Sequence, residues 1–483
     1  MPEGAGDILA NLWGHLLPGG YDVIVVGSGY AGAITAGLGE GKPESLWIYY
    51  KLAEQTLDFS PHQNASNLKK VQALQKRASR VRTGRRNTPH RRQLSAGRSG
   101  GPSQGRERHH QAQVHLDCGD CVMGCNVGAK NTLCMNFLPL AKQSGAHNFT
   151  QTEVETIEKS ASGGWTVRAI HRTDGVSADN VTLTARMVVL SAGALRSDKI
   201  LLASRQQGLT TLDALGTRSR GNGDFFGLSY NFGMSTNPVS FGNHPDDSFA
   251  QLSPRSGPSI VGLVRCNATQ PPGNRFVIAD VSIARAYSDA AATAFRVIPG
   301  TDVGTRDADQ AQQRADSDTF GADPHGALNS TMLYLCMAQD YSGGRPTLDD
   351  SGRLRIEWPG AASEPISQQI NNEYRAHATA VGSTFIDNQL WRVSPWKTVP
   401  SAHPLGGCPM GEDGSDGVVD HLGRTDQRSL HPGGHQLCVR GDRRKVWTGT
   451  GPAVGVCWSV ARSCGEKSIP ARDPMLFAKF NLS

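Results

Sequence analysis

Long apolar runs are the first thing missing from this 483-residue chain. None approaches the roughly 18 residues that a bilayer-crossing helix needs, so no membrane span is expected. The opening stretch, MPEGAGDILANLWGHLLPGG, has neither a basic start nor a long apolar core, which argues against a secretory leader. The ten cysteines are scattered apart from one cluster and do not form a secreted disulfide framework. A reducing, cytoplasmic location is the expectation. Aromatics are scarce at 6%, and none falls in the most basic stretch, which removes the stacking platforms of a single-stranded nucleic-acid binder.

Acid is missing from that same stretch. Between Lys76 and Arg108 eleven Lys and Arg face Glu107 alone, a local +10 within a chain of net +6, so the remainder stands at −4. The basic excess therefore belongs to one segment and not to a nucleic-acid surface spread over the fold. Large apolar residues are nearly absent from Arg77 to Gln113, so the segment buries too little to offset its own ordering. A solvated, disordered insertion over 77–113 is the plainest reading. A phosphate- or nucleic-acid-binding arm and a frameshifted or mis-joined exon are the alternatives.

What is present begins with Tyr21–Gly37, YDVIVVGSGYAGAITAG. The apolar run Val23–Val26 reads as a buried parallel strand, and Gly27, Gly29 and Gly32 form a G-x-G-x-x-G that opens a small-residue helix. In a dinucleotide site the first glycine permits the tight turn, the second lets backbone approach a pyrophosphate, and the third lets helix and sheet pack closely. The pyrophosphate rests on the unsatisfied amides of that helix. Strand before and helix after make this a nucleotide-site expectation. Ile8–Leu17 reads as a short helix. An acid about 20 residues beyond the glycines would hold the ribose, but Leu46–Leu57 has helical spacing, and if Leu46–Tyr50 is a strand it ends in Lys51.

Further along, Cys118, Cys121 and Cys125 have a spacing that suits zinc or an iron–sulfur cluster, with no fourth ligand at a regular interval, although Cys134 and His115 are near. Structural cysteines in a tight glycine-rich turn are the competing reading. Asn136–Gln143 reads as helix, Thr150–Glu158 and Gly164–His171 as strands, and Val181–Arg186 as an edge or hairpin strand. Met187–Leu190 reads as a separate buried strand running into the small-residue turn Ser191–Ala194, with helix at Ile200–Ser204. Such a turn after a late strand is what a dinucleotide fold needs beside its cofactor. The stretch GRPTLDDSGRLRIEW signals a hairpin, and Ile366–Val381 a helix. His403, in SAHPLGGCPMG, sits between prolines and glycines on a rigid loop, where functional residues concentrate. A lone histidine is also commonly structural.

Four blocks in this order, VIVVGSGYAGA, CGDCVMGCNVGAKNTL with TQTEV behind it, VVLSAGALRS with GNGDFFG, and HPLGGCPMG with DGVVDHLG, resemble the glucose–methanol–choline (GMC) flavoprotein oxidoreductases, in their cholesterol-oxidase-like branch. The resemblance implies FAD as cofactor and an α/β fold, an FAD-binding Rossmann-like domain with an antiparallel-sheet substrate domain. It divides the chain into 1–60 and 118–224 for FAD, 225–395 for substrate, and 396–483 as a return to the FAD domain. It implies that Gly27, Gly29 and Gly32 hold the pyrophosphate, that Val154 contacts adenine through backbone, and that Ala192 and Gly193 line the crevice. His403 takes the place of the family's active-site histidine, and imidazole suits proton transfer near neutrality. The implied chemistry is oxidation of a hydrophobic, sterol-like alcohol, with electrons passing to oxygen or another acceptor, and no nucleic-acid partner.

The chain also departs from that pattern. The ribose-binding acid and the flavin-covering segment are not recognisable, Cys457 follows Gly455-Val456 where the family has asparagine, and Arg440-Gly441 replaces an Asp-Gly. A sterol-isomerising glutamate would fall near Phe276–Val281, where this chain has Asp280. These departures predict weakened FAD binding. They keep two rivals open: an impaired remnant of the family, and a cysteine-cluster metal or electron-transfer protein.

Overall fold

Val23–Val26 forms the strand its apolar run calls for, and the strand it pairs with organises the first half of the molecule. The computed structural model describes residues 21–27, 62–80, 116–392 and 399–419 apart from short interruptions, together with Thr425 and 437–439. In chain order the strands are β1 (Tyr21–Val26), β2 (Thr152–Lys159), β3 (Trp165–Arg172), β4 (Ala178–Leu190), β5 (Thr217–Arg220), β6 (Phe225–Tyr230), β7 (Leu263–Cys266), β8 (Phe276–Val281), β9 (Thr301–Val303), β10 (Met332–Ala338), β11 (Arg345–Leu348), β12 (Leu354–Glu357), β13 (Ser383–Ile386), β14 (Leu405–Gly407) and β15 (Leu437–Val439).

Strand β4 has two uses. Its first half closes an antiparallel meander, Arg172 opposite Ala178 and Trp165 opposite Ala185. Its second half pairs in parallel with β1, Val23 opposite Met187 and Val26 opposite Leu190, and with β15, Val439 opposite Leu190. The sequence pattern suggests two strands here, and the structure makes one of 13 residues. The pattern breaks because burial changes. Thr184 and Arg186 are exposed between buried neighbours, whereas Met187–Leu190 are buried without interruption, as in a strand covered on both faces. Helix Ala194–Gln206 packs on β2, and the Ser204 Oγ accepts from the Ile157 amide at 2.9 Å.

The second sheet runs β7-β8-β10-β6-β13-β9, antiparallel at every pairing. Helix Pro365–Val381 covers it. Proline in its first turn has no amide to leave unsatisfied, and Gly382 ends it in the left-handed region at φ 66°. Ile366, Ile370, Tyr374 and Ala378 recur every four residues and form its buried face, packed on Phe225, Phe276 and Tyr334. Full burial of each large side chain contributes about 1.5–3 kcal/mol. β11 and β12 form the expected hairpin, Arg345 opposite Glu357.

Helix Lys69–Arg80 lies against helix Pro365–Val381, β7 and β8. It runs to Arg80, four residues into the stretch whose composition suggests no structure at all. Its backbone continues because Val71, Ala73 and Leu74 anchor the preceding turns. The expectations for Ile8–Leu17, Gly29, Gly32, Leu46–Leu57, 81–113, Arg440 and Cys457 lie outside the described residues. Among the described residues, no helix is long and apolar enough to cross a membrane.

Candidate active site

Two parallel strands ending side by side create a crevice at their carboxyl ends, and here it is built from backbone. Ser191 N donates to Val26 O at 2.8 Å, locking the two strand ends together. Gly27 stands at φ 112°, and a Cβ there would overlap the Ser191 carbonyl and lie 2.9 Å from the Ala192 Cα. Only glycine fits such an approach. Ala192 and Val154 are both partly buried against the hydrophobic core that contains Val26. Gly193, at φ 81°, has no atom of the described residues within 4 Å of where a Cβ would stand, and it caps helix Ala194–Gln206. The buried Ser191 Oγ has no hydrogen-bond partner among the described residues. The tight glycine turn, the helix amino terminus and the buried hydroxyl without a partner among the described residues together fit the pyrophosphate end of a dinucleotide such as FAD. Of the residues expected there, Gly27 adjoins Ala192 and so lies beside Gly193, and Val154 belongs to the core that holds Val26.

His403 is brought to a different partner. Its side chain is 43% exposed, while Asp224, just before β6, is fully buried. The imidazole Nδ1 lies 3.0 and 2.9 Å from the two Asp224 oxygens. Asp224 Oδ2 also accepts from the amides of Ala402 at 2.7 Å and His403 at 3.0 Å, and from Ser401 Oγ at 3.2 Å. One carboxylate thus holds both the ring and the main chain that carries it. Its own loop is fixed in turn by Asp340, whose Oδ2 accepts from the amides of Gly221 at 2.8 Å and Gly223 at 3.0 Å. Burial pushes the Asp340 carboxyl above its ordinary range, against the pull of those amides and of Arg220. Asp224 lies within the GNGDFFG block, but nothing in that block says which distant residue its acid will meet.

From His403 the chain runs through β14, paired with β5, into the nucleotide-side core at Cys408. Gly407 stands at φ 81°, and a Cβ there would overlap Asp198 of helix Ala194–Gln206. Asp198 is 1% exposed. Cys408 Sγ donates to its Oδ1 at 3.3 Å, and its Oδ2 has no hydrogen-bond partner among the described residues. Burial pushes this carboxyl up to about 7 and holds the Cys408 thiol well above its ordinary range. The HPLGGC segment therefore joins the crevice-side core to the histidine at Asp224.

The cysteine block is a clasp. Cys118 O accepts from Phe241 N at 3.0 Å, Gly119 O from Ser259 Oγ at 2.7 Å, and Asp120 Oδ1 from Ser240 Oγ at 2.8 Å. Cys118 is buried with Val239, Phe241 and Phe249. Cys125 Sγ accepts from the amides of Ala129 and Lys130 at 3.1 and 3.3 Å. Among the described residues no three His, Cys, Asp or Glu side chains gather as a metal set. Beneath the clasp, Lys70 pairs with Asp280 at 3.3 Å, both buried. Lys70 Nζ also donates to Pro258 O and to Ser282 Oγ, and Asp280 Oδ1 accepts from Val261 N at 2.9 Å and Gly262 N at 2.6 Å. Burial lowers the Lys70 ammonium, with Asp280 pulling the other way.

Comparison with known proteins adds four findings. Residues 54–209 match the GMC oxidoreductase family profile. The chain is 27% identical over 343 residues to cholesterol oxidase of Mycobacterium tuberculosis, covering 64% of this chain and 52% of the relative. It is 28% identical over 162 residues to cholesterol oxidase of Acinetobacter baumannii, covering 30% of this chain and 29% of that one. It therefore spans about half, or less, of the length of the curated relatives it matches. Among solved structures, an FAD-dependent oxidoreductase of Chaetomium thermophilum aligns at TM-score 0.39 and 16% identity, over 69% of this chain and 64% of the other.

Proposed function

We propose, on the premise that this chain belongs to the GMC oxidoreductase family of FAD flavoproteins, that it oxidises the CH–OH group of a hydrophobic, sterol-like alcohol. The observation that carries this reading is the His403 imidazole, held by a buried carboxylate on the segment that leads into the crevice-side core. Gly27, Ala192, Gly193 and the backbone of Val154 hold the dinucleotide, with Gly29 and Gly32 continuing the pyrophosphate turn. Bound FAD would supply the two-electron acceptor for the hydride of the alcohol carbon, with oxygen or another acceptor as the final oxidant. His403 takes the hydroxyl proton as the carbonyl forms, so hydride and proton leave together and the substrate emerges as a ketone or aldehyde.

The six-stranded sheet is assigned to the substrate side, within 225–395, and the sheet that holds β1 and β4 to the cofactor side, to which 1–60, 118–224 and 396–483 belong. The similarity of the chain to cholesterol oxidases supports the sterol-like class. The thiols of Cys118, Cys125, Cys134, Cys336 and Cys408, none of them in a disulfide, support a reducing, cytoplasmic location. Anaerobic mixing of FAD-loaded protein with a 3-hydroxysterol tests the reading. Bleaching of the flavin is expected, slowed about 10²–10⁴-fold by His403→Asn. Undiminished bleaching in that variant overturns the role of His403. Protein that takes up no FAD from solution overturns the oxidase reading and supports an impaired remnant.

A further inference from the structure

We propose that Asp224 is the positioning residue that decides which nitrogen of His403 handles the proton. The inference rests on the reading of His403 above and deepens it. Three observations carry it. First, the amides of Ala402 and His403 both donate to Asp224 Oδ2, and His403 Nδ1 lies 2.9 Å from that same oxygen, so Asp224 meets this segment as an acceptor. A neutral imidazole facing an acceptor must present its N–H, which places the ring proton on Nδ1 and the lone pair on Nε2. Second, Asp224 is fully buried while the ring is 43% exposed. The tautomer is thus set from the buried carboxylate. Third, Asp224 belongs to a braced turn: Asp224 N donates to Gly221 O at 3.1 Å, and Ser401 Oγ donates to the same carbonyl at 2.8 Å. The carboxylate cannot swing to follow a different ring orientation without undoing that turn.

The consequence is that Asp224 acts through His403 and touches no substrate. In the opposite tautomer the Nδ1 lone pair would face the carboxylate and a charge-assisted hydrogen bond would be lost. The preference for Nδ1–H is therefore expected to exceed about tenfold. Replacing the carboxylate with a carboxamide removes the discrimination, because an amide can donate as well as accept. Asp224→Asn then lets the Nε2–H form grow, leaving the nitrogen that meets the alcohol already protonated and unable to act as a base.

Nitrogen-15 NMR of the imidazoles in the full chain, at about pH 8, reads this without FAD or substrate. The His403 signals are those lost in His403→Asn. The native chain should show Nδ1 protonated and Nε2 bare, and Asp224→Asn should shift that ratio at least about tenfold towards Nε2–H. Ser401→Ala, which keeps the carboxylate and removes one donor, should leave the ratio unchanged. A native Nε2–H tautomer overturns the proposal whether or not any variant folds. An unchanged ratio in folded Asp224→Asn overturns it, and so does a shift in Ser401→Ala matching that of Asp224→Asn. Because the spectrum needs no turnover, failure of alcohol oxidation and failure of this inference are separate results.

Discussion

Asp280 and Asp198 are buried alike, 0% and 1% exposed, and the molecule treats them in opposite ways. Beneath the six-stranded sheet, Asp280 has an ammonium at 3.3 Å and two backbone amides. Beside the crevice, Asp198 has one weak thiol donor and an oxygen with no hydrogen-bond partner among the described residues. A buried carboxylate without a counter-charge is forced towards its neutral form, and Asp198 rises to about 7. The sheet is thus a compensated frame, whereas the joint between helix Ala194–Gln206 and β14 responds to pH. That joint lies on the segment that begins at His403, so one fold combines a fixed wall with a titratable seam.

The largest effect is expected from making Asp280 resemble Asp198. Lys70→Met leaves a buried carboxylate without its cation, a change that costs about 3–5 kcal/mol, read as a lower urea midpoint. A loss below about 1 kcal/mol would mean that another cation reaches Asp280, and the contrast between the regions would disappear. A smaller effect follows from relieving Asp198. Its folded pKa is raised to about 7 from about 3.9 in an unfolded chain. The native state therefore holds the extra proton between these values, and stability is full below about pH 4 and falls as pH rises through 7. Asp198→Asn should flatten that decline and stabilise the protein at pH 8 by roughly 1–3 kcal/mol; an undiminished slope would assign the decline to other groups. Smallest is Cys408→Ala, which removes the single donor and should lower stability by about 1 kcal/mol, with a clearly larger loss at pH 8 than at pH 5 in paired thermal scans. An equal loss at both pH values would reduce the thiol to simple packing.

Much of the frame could be read from residue patterns. The run before Gly27, the hairpin around Asp349, and the helix with Ile366, Ile370 and Tyr374 on one face follow local rules that burial and spacing enforce. The boundary inside β4 could not be read, because the change from alternating to continuous burial comes from distant strands docking on Met187–Leu190. His403 was visible from its loop, but its partner lies 179 residues earlier, and no local pattern links an acid in GNGDFFG to it. Nothing local marks Lys70 as buried, since lysine is almost never fully buried. Asp198, in ALRSDKILL, lies outside the helix read at Ile200–Ser204, and nothing local marks it as buried against Gly407.

The double use of β4 also dictates a timetable. A ribosome emits β1 about 150 residues before the strand it must pair with, and β15 reaches the same strand roughly 250 residues after that strand is complete. At synthesis rates of about 5–20 residues per second, the nascent chain waits roughly 10–50 s with the far edge of Val188–Leu190 unmatched. During that interval a run of four apolar residues, Met187–Leu190, has an open flank capable of recruiting a stray strand. The same economy that lets one strand unite three distant parts of the chain makes its birth the step most in need of a chaperone.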